Sequence, residues 1–531
     1  MIDSINKLTI KDLLLRANSN SIAILPTIQD NKFVTFGNLL NIVNKTQLVL
    51  YALGLKPQAN IALSIKDGPK MASMFLAIAS NFVACPLNPS YTKDEFVFYF
   101  KDLNINTVIT EKNTSESLLL AAKEARVNVQ YLDDDTGEII FNQKSSEQNN
   151  PSENYVEDDD NNIALSLQKV DFNPKSNDIA LILHTSGTTS RPKMVPLTHK
   201  NIIASAHNIS KTLNLKSIDK CLNIMPLFHI HGLIAGLLAV LYKSGTSIIP
   251  KSGFNALSFF QWLDKTKPSW YTGVPTMHQI ILSRADRNKE IINLNPLRFI
   301  RSSSASLPKS VMKDLEKTFN TPVIESYGMT EASHQMTSNP LPPLKRKSGS
   351  VGMPAGPEVK ILSNNTILGE NNKEIRGQII IKGENVTLGY LNNDKANSEN
   401  YHKGWFLTGD EGYFDKDGYL IISGRLKEII NRGGEKISPL EVDEVLTRHD
   451  DVLQVVTFSI PHPKLGEDVA AVVVLKKDIY IDIDEKDLKN FCKNKLADFK
   501  IPNKIIFMEE IPKGATGKIQ RIGMAKKLGL K

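Results

Sequence analysis

The chain has 531 residues, 41% of them hydrophobic and 23% charged, with a formal net charge of +7. That length exceeds what one hydrophobic core organises, so two or more domains are expected. The composition is that of a globular protein, and a modest positive charge without basic runs or aromatic–basic interleaving gives no support to nucleic-acid binding. Cys85, Cys221 and Cys492 show no CxxC spacing, which argues against a disulfide framework or a zinc site and fits a reducing compartment. Met1 to Lys7 lacks the pattern of a signal peptide, and Gly232 to Tyr242, the longest apolar stretch, is too short to cross a bilayer. The chain ends Gly529-Leu530-Lys531 rather than Ser-Lys-Leu, so a cytoplasmic location is expected, without membrane or nucleic-acid partners and as a monomer or weak homo-oligomer.

Residues 1–142 alternate strand and helix patterns: strands at Ile61–Ile65, Val83–Leu87, Thr107–Thr110 and Val127–Leu132, with an apolar helix from Met71 to Ala79. Such alternation predicts a parallel α/β sheet. Residues 142–162 turn polar and acidic and read as a solvated insertion. A second α/β pattern is expected to start with the apolar strand Ile179–Leu183 and to continue through short strands at Ser247–Pro250, Trp270–Val274, Phe299–Ser302 and Val323–Glu325. Past Pro340, strands at Val359–Leu362, Gly377–Ile381 and Gly418–Ile422, separated by Gly, Asn and Asp turns, predict a β-rich subdomain. A compact α+β segment follows, so the fold class is α/β: a large N-terminal domain of two α/β subdomains plus the β-rich one, residues 1–424, and a small mobile α+β domain, residues 425–531.

Five stretches carry chemistry. The strand at Ile179–Leu183 opens into His184-Thr185-Ser186-Gly187-Thr188-Thr189-Ser190-Arg191-Pro192-Lys193. Backbone N–H groups, short hydroxyls and one lysine in so small a volume suit phosphate oxygens, although the spacing is not that of a Walker A loop. In Glu325-Ser-Tyr-Gly-Met-Thr-Glu331, Tyr327 is placed to stack on a base and Glu331 to hold a magnesium ion beside phosphates. Asp410, ending Thr408-Gly-Asp, can accept hydrogen bonds from both ribose hydroxyls, and Arg425 after Gly424 can face the same nucleotide. Near the end, Lys513-Gly-Ala-Thr-Gly-Lys518 is a glycine-framed loop that could deliver one positive charge to developing phosphoryl charge.

Together and in this order these stretches resemble the adenylate-forming superfamily of acyl-CoA synthetases, firefly luciferase and nonribosomal-peptide adenylation domains, over residues 10–521. The sequence departs from the pattern at Ser190 and Met194, where the family usually has glycine. A closer resemblance, to the oxalate–CoA ligases of plants and fungi, is carried by Pro226–Gly236, Trp270–His278, Arg301–Leu307 and Glu331–Pro340.

The resemblance implies an ATP-, Mg²⁺- and CoA-dependent acid–thiol ligase working through an acyl-adenylate. It implies phosphate contacts from Thr185, Ser186, Gly187, Thr188, Thr189, Ser190 and Lys193, with adenine held between Tyr327, Gly328 and Ser304, Ala305 and Ser306. Asp410 and Arg425 then take the ribose, Glu331 the metal, and Thr330, Glu331 and Lys518 the catalysis. Lys427 is the implied hinge and Gly433-Gly434 the lining of the pantetheine path. For the acid, histidines and hydroxyls suit a second carboxylate, because a buried dianion needs donors or positive charge. His231, His334 and Ser302 are the expected ligands, with His229 shaping the wall; Arg301 lies on the same strand as Ser302 and the sequence leaves its direction open. Other readings are a short-chain, medium-chain or aromatic acyl-CoA synthetase, a carrier-loading module, or a non-catalytic binding protein.

Overall fold

The computed structural model describes residues 7–27, 33–133, 137–140, 173–185, 192–476, 483–493, 495–512 and 520–530. The acidic insertion, Ser186 to Arg191 of the hydroxyl-rich loop, and Lys513 to Ile519 with Lys518 lie outside them.

Two largely parallel sheets form the bulk of the molecule. The first has six strands in the spatial order Asn128–Leu132, Thr107–Glu111, Asn60–Ser64, Val83–Pro86, Ile179–Thr185 and Lys193–Thr198, all parallel except the last. The second has nine, with six parallel strands at its centre: Val323–Met329, Phe299–Ser302, Trp270–Gly273, Lys220–Asn223, Thr246–Ile249 and Ile22–Pro26. Two expectations are corrected here. The strand leading into the hydroxyl-rich loop belongs to the first sheet, where Leu181 pairs with Ala84. The N-terminal strand Ile22–Pro26 leaves residues 1–142 to pair with Thr246–Ile249 in the second. A short apolar run buried on both faces reads the same in either sheet, so only tertiary pairing decides its membership.

The helix Pro69–Ala79 shows what sets the sheets together. Every residue from Met71 to Ala79 is buried, and the helix touches Ile22–Pro26 of one sheet and Asn60–Ser64 and Val83–Pro86 of the other. A helix apolar all round has no face left for water. Its start is set by Gly68 and Pro69, since Pro at the first turn loses no hydrogen bond. Helices Phe36–Ala52, Lys93–Asp102 and His199–Thr212 begin at capping boxes on Thr35, Thr92 and Thr198, which satisfy the free N–H groups of their first turns.

The β-rich part is an antiparallel six-stranded sheet that ends in Trp405–Phe414 paired with Leu420–Arg425. The C-terminal sheet begins at Ile430–Arg432, and its own apolar core includes Ile430, Val442, Val469 and Ile505. Polar contacts join it to the rest. The Gln279 amide donates to the Leu453 carbonyl at 3.2 Å, Lys309 pairs with Glu444 at 2.8 Å, and the Ser438 hydroxyl donates to the Ser423 carbonyl. None of the helices among the described residues is long and apolar enough to cross a membrane.

Candidate active site

The candidate residues gather at the carboxyl ends of the parallel strands, where open α/β sheets collect ligands, joined by Asp410 and Arg425 from the antiparallel β-rich sheet. Thr185 pairs with Lys193 across an antiparallel hairpin, so the hydroxyl-rich segment is the connection between two hydrogen-bonded strands. Met194 is buried in the apolar cluster with Ile182 and Cys85, and its carbonyl accepts from the Leu391 N–H at 3.1 Å. Its departure from glycine thus fills core beneath the hairpin.

Lys193 lies 4.6 Å from the centre of the Tyr390 ring. The Tyr390 hydroxyl donates to Glu331 Oε1 at 2.8 Å. Glu331 is buried on the 3₁₀ turn Thr330–Ala332, and burial holds its carboxyl above the usual range against the opposing effects of Tyr390, Arg425 and Lys193. Burial lowers the Lys193 ammonium; Glu331 opposes this, and the charge of Lys427 adds to it. A cation beside Glu331 would favour its ionised form, and Mg²⁺ uses one or two carboxylates plus phosphate oxygens and water. One buried carboxylate beside a phosphate-suited hairpin fits that need; among the described residues no His, Cys, Asp or Glu cluster offers an all-protein metal cage.

The second group is Tyr327, Asp410 and Arg425. The Tyr327 hydroxyl donates to Asp410 Oδ2, and Arg425 Nε donates to Oδ1 at 3.1 Å. Each carboxylate oxygen keeps lone pairs for further donors. Arg425 is brought opposite Asp410 by the strand pairing itself. Ser304, Ala305 and Ser306 are exposed on the loop after Phe299–Ser302, and Ser304 has φ +70°. Gly328 is required by contact: a Cβ there would lie 1.6 Å from the His334 carbonyl oxygen, where the strand hairpin folds back.

The third group surrounds His231, the first residue of a π-helix, His231–Leu238. Two glycines admit this geometry. A Cβ on Gly232 would meet the Pro226 carbonyl at 2.3 Å, and one on Gly236 the Asn223 amide at 2.2 Å. The Asn223 amide instead donates to the Gly232 carbonyl at 3.0 Å. The His231 ring stacks on His334 at 4.6 Å between centres. Its Nδ1 is 3.0 Å from Ser304 Oγ, and its Nε2 is 2.7 Å from Thr272 Oγ1 and 3.3 Å from Arg301 Nη1. Burial, then the neighbouring His334 and Arg301, hold the His231 imidazole well below its usual range. His334 sits at φ +96° after Ser333 at φ +49°, a conformation costing a non-glycine residue about 1–3 kcal/mol. It is held by Ser205, whose hydroxyl donates to the Ser333 carbonyl at 2.6 Å, and by the Asn385 amide, which donates to the Ala332 and Gln335 carbonyls.

The structure therefore brings His231, His334 and Ser304 together. Ser302 is buried on the same strand as Arg301 but one residue on. Ile300 packs in the cluster with Phe259 and Leu315, whereas Phe299 packs in the other with Trp270, so neighbours on this strand face opposite ways. Arg301 and not Ser302 is the side chain that shares the face of His231. His229 precedes the π-helix, with its ring 4.5 Å from Phe228. Lys427 is exposed between the two sheets, and Gly433 and Gly434 form the turn of a C-terminal hairpin at φ +61° and +99°, where the Gly433 N–H donates to the Leu465 carbonyl at 2.9 Å. Sequence reasoning missed Tyr390, Gln335, Thr272 and Asn385. Of these, Tyr390 has a signal in the sequence, a tyrosine directly after Gly389.

Known proteins share the sequence and the fold of this chain. The profile of the AMP-binding enzyme family matches residues 15–391, and that of the AMP-binding enzyme C-terminal domain matches residues 441–518. The chain is 42% identical over 473 residues to an oxalate–CoA ligase of Arabidopsis thaliana, covering 88% of each chain. It is 41% identical over 528 residues to the oxalate–CoA ligase of Saccharomyces cerevisiae, covering 95% of this chain and 94% of that one. A sulfoacetate–CoA ligase of Cupriavidus necator is 37% identical over 350 residues, 66% of this chain and 67% of its own. Among solved structures, ATP-bound MatB from Rhodopseudomonas palustris superposes with a TM-score of 0.83 at 24% identity, covering 98% of both chains, which shows a shared fold.

Proposed function

Since this chain belongs to the AMP-binding enzyme family and is an acid–CoA ligase that works through an acyl-adenylate, its open question is the acid, and we propose that the acid is oxalate. The observation that carries this reading is the stacked His231–His334 pair beside Ser304. The stacked imidazoles and the Ser304 hydroxyl that His231 holds make this end of the site polar and suited to a second carboxylate, where a fatty acid would need an apolar tunnel. The oxalate–CoA ligases among the relatives support the same acid.

In this reading the acid's carboxylate attacks the α-phosphate of ATP, pyrophosphate leaves, and the thiol of CoA then displaces AMP. Lys193 and the hairpin hydroxyls take the β- and γ-phosphates. Tyr327 and Gly328, with Ser304 to Ser306 opposite, hold adenine; Asp410 and Arg425 hold the ribose. Glu331 would hold Mg²⁺, whose charge offsets that of the phosphates, with Tyr390 orienting the carboxylate and Thr330 opening its turn. Lys518 stabilises charge developing between the carboxylate and the α-phosphate, for which preorganised positive charge is the main catalytic device. The domain boundary falls at 424/425, Lys427 is the hinge, and rotation about it brings Gly433-Gly434 to the pantetheine path, where the missing side chains allow close approach.

The test is AMP release with CoA over a panel of oxalate, malonate, sulfoacetate, acetate, octanoate and coumarate. Oxalate should give the highest kcat/KM; a wild-type preference for octanoate or coumarate would overturn the acid while leaving the ligase in place.

A further inference from the structure

Arg301 is fully buried, with no exposed surface, on the strand Phe299–Ser302. Among the described residues no carboxylate forms an ion pair with it. Its neighbours are polar but neutral: Nη2 donates to Gln335 Oε1 at 3.3 Å, Nη1 approaches His231 Nε2 at 3.3 Å, and Nε has no hydrogen-bond partner. The nearby Cys221 thiol is pushed up by burial and carries no charge. Burial pushes the guanidinium down to about 9, so it still carries its proton at neutral pH. An isolated buried cation is costly, and a chain that keeps one has a use for the charge.

The donor inventory then fixes a tautomer. A guanidinium only donates, so His231 Nε2 must accept, from Arg301 and from the Thr272 hydroxyl, and the proton sits on Nδ1. Nδ1–H donates to Ser304 Oγ at 3.0 Å, on the exposed loop at the strand's carboxyl end. Gln335 cannot reverse this arrangement, because its amide nitrogen donates to the Ala355 carbonyl at 3.0 Å and to Thr212 Oγ1 at 3.3 Å, which leaves Oε1 facing the arginine.

We propose that Arg301 is the positioning residue of an anion subsite behind the His231–His334 pair, holding His231 as its Nδ1–H donor and leaving one buried positive charge for the second anionic group of the substrate to compensate. This rests on the ligase reading above and extends it: the site selects acids whose far end is anionic, and the acid itself supplies the missing counter-charge.

Two variants test it. Arg301→Gln removes the charge but risks the fold. Gln335→Glu keeps Arg301 and sets a carboxylate where Oε1 now lies, so the cation gains an internal partner. Both should lower the kcat/KM ratio of oxalate to acetate by roughly 10- to 100-fold, the range for a buried charged contact. Arg301→Lys should recover part of that ratio. Gln335→Glu gives Arg301 a partner but loses the amide's donation to the Ala355 carbonyl at 3.0 Å, so its Tm serves as the control for folding and the selectivity ratio decides. A purely structural arginine predicts a changed Tm with the oxalate-to-acetate ratio intact in both variants, and that result overturns the proposal. The outcomes separate the two readings. Wild type preferring sulfoacetate to oxalate removes oxalate as the acid, and the subsite stands if both variants lose the sulfoacetate-to-acetate preference. Wild type preferring oxalate, with both variants keeping that preference, removes the subsite and leaves the acid. Wild type preferring acids with a neutral tail removes both.

Discussion

Tyr390→Phe is a sharp test of the nucleotide end of the site. The substitution deletes one oxygen, the donor to Glu331 Oε1 at 2.8 Å, and retains the ring on which Lys193 packs at 4.6 Å. The backbone is held independently, since the Tyr390 N–H donates to Asn397 Oδ1 at 2.7 Å. What is lost is one hydrogen bond to a buried carboxylate, worth about 1.5–3 kcal/mol, or roughly 10- to 150-fold in an equilibrium constant. The direction follows from Glu331. Its carboxyl already lies above the usual range through burial, and the Tyr390 hydroxyl is one of the groups that pull it down. Without that donor the protonated form persists to higher pH. The acid limb of the adenylation rate should therefore move to higher pH, and the apparent Mg²⁺ requirement should rise. Acid-dependent exchange of pyrophosphate into ATP, measured across the acid and neutral range at several Mg²⁺ concentrations, reads both. Saturating Mg²⁺ should restore much of the rate, because a cation beside Glu331 stabilises the same ionised form. An acid limb and Mg²⁺ dependence identical to those of the wild type would refute the role of Tyr390 and, with it, the placement of the metal on Glu331.

Lys518→Ala should slow acyl-adenylate formation by roughly 10²-fold or more while transfer from preformed adenylate to CoA suffers far less; equal losses in both half-reactions would count against its role. Lys427→Pro fixes φ at a position between the two sheets, and should retain adenylation with thioester formation nearly abolished. Product at the wild-type rate would remove the hinge. Glu325 is buried with Oε1 accepting from the Leu307 N–H at 2.9 Å, and burial pushes its carboxyl from 4.5 up to about 8. A folded-state value above the unfolded one stabilises at low pH, and that contribution is lost as pH rises from 4.5 through about 8. Glu325→Gln, which cannot ionise, should thus gain on the wild type in denaturant unfolding as pH is raised across that window; a constant difference between the two proteins would show that Glu325 does not titrate there.

Much of this molecule is legible from residue order. Strand and helix patterns, the β-rich section and the small C-terminal unit follow from apolar periodicity and glycine punctuation, both local properties. Tyr327, Asp410 and Arg425 are legible because each lies at a strand end or tight turn within a recognisable motif, and the hairpin Thr185–Lys193 because its hydroxyls and lysine are contiguous. Sheet membership is not local. Ile22–Pro26 and Ile179–Thr185 exchange sheets relative to chain order, because a strand buried on both faces carries no mark of its partner. Side-chain direction at a strand end is likewise undecided by sequence. Arg301 and Ser302 are adjacent residues, and only packing against Phe259 on one face and His231 on the other shows which of them reaches the histidine. Tyr390 and Gln335 enter the site from segments distant in the chain from the groups they serve. Residue order determined which chemical groups this protein possesses; the folded packing decided which of them share a buried volume, because hydrogen bonds and desolvation act over a few ångströms of space, whatever the separation in sequence.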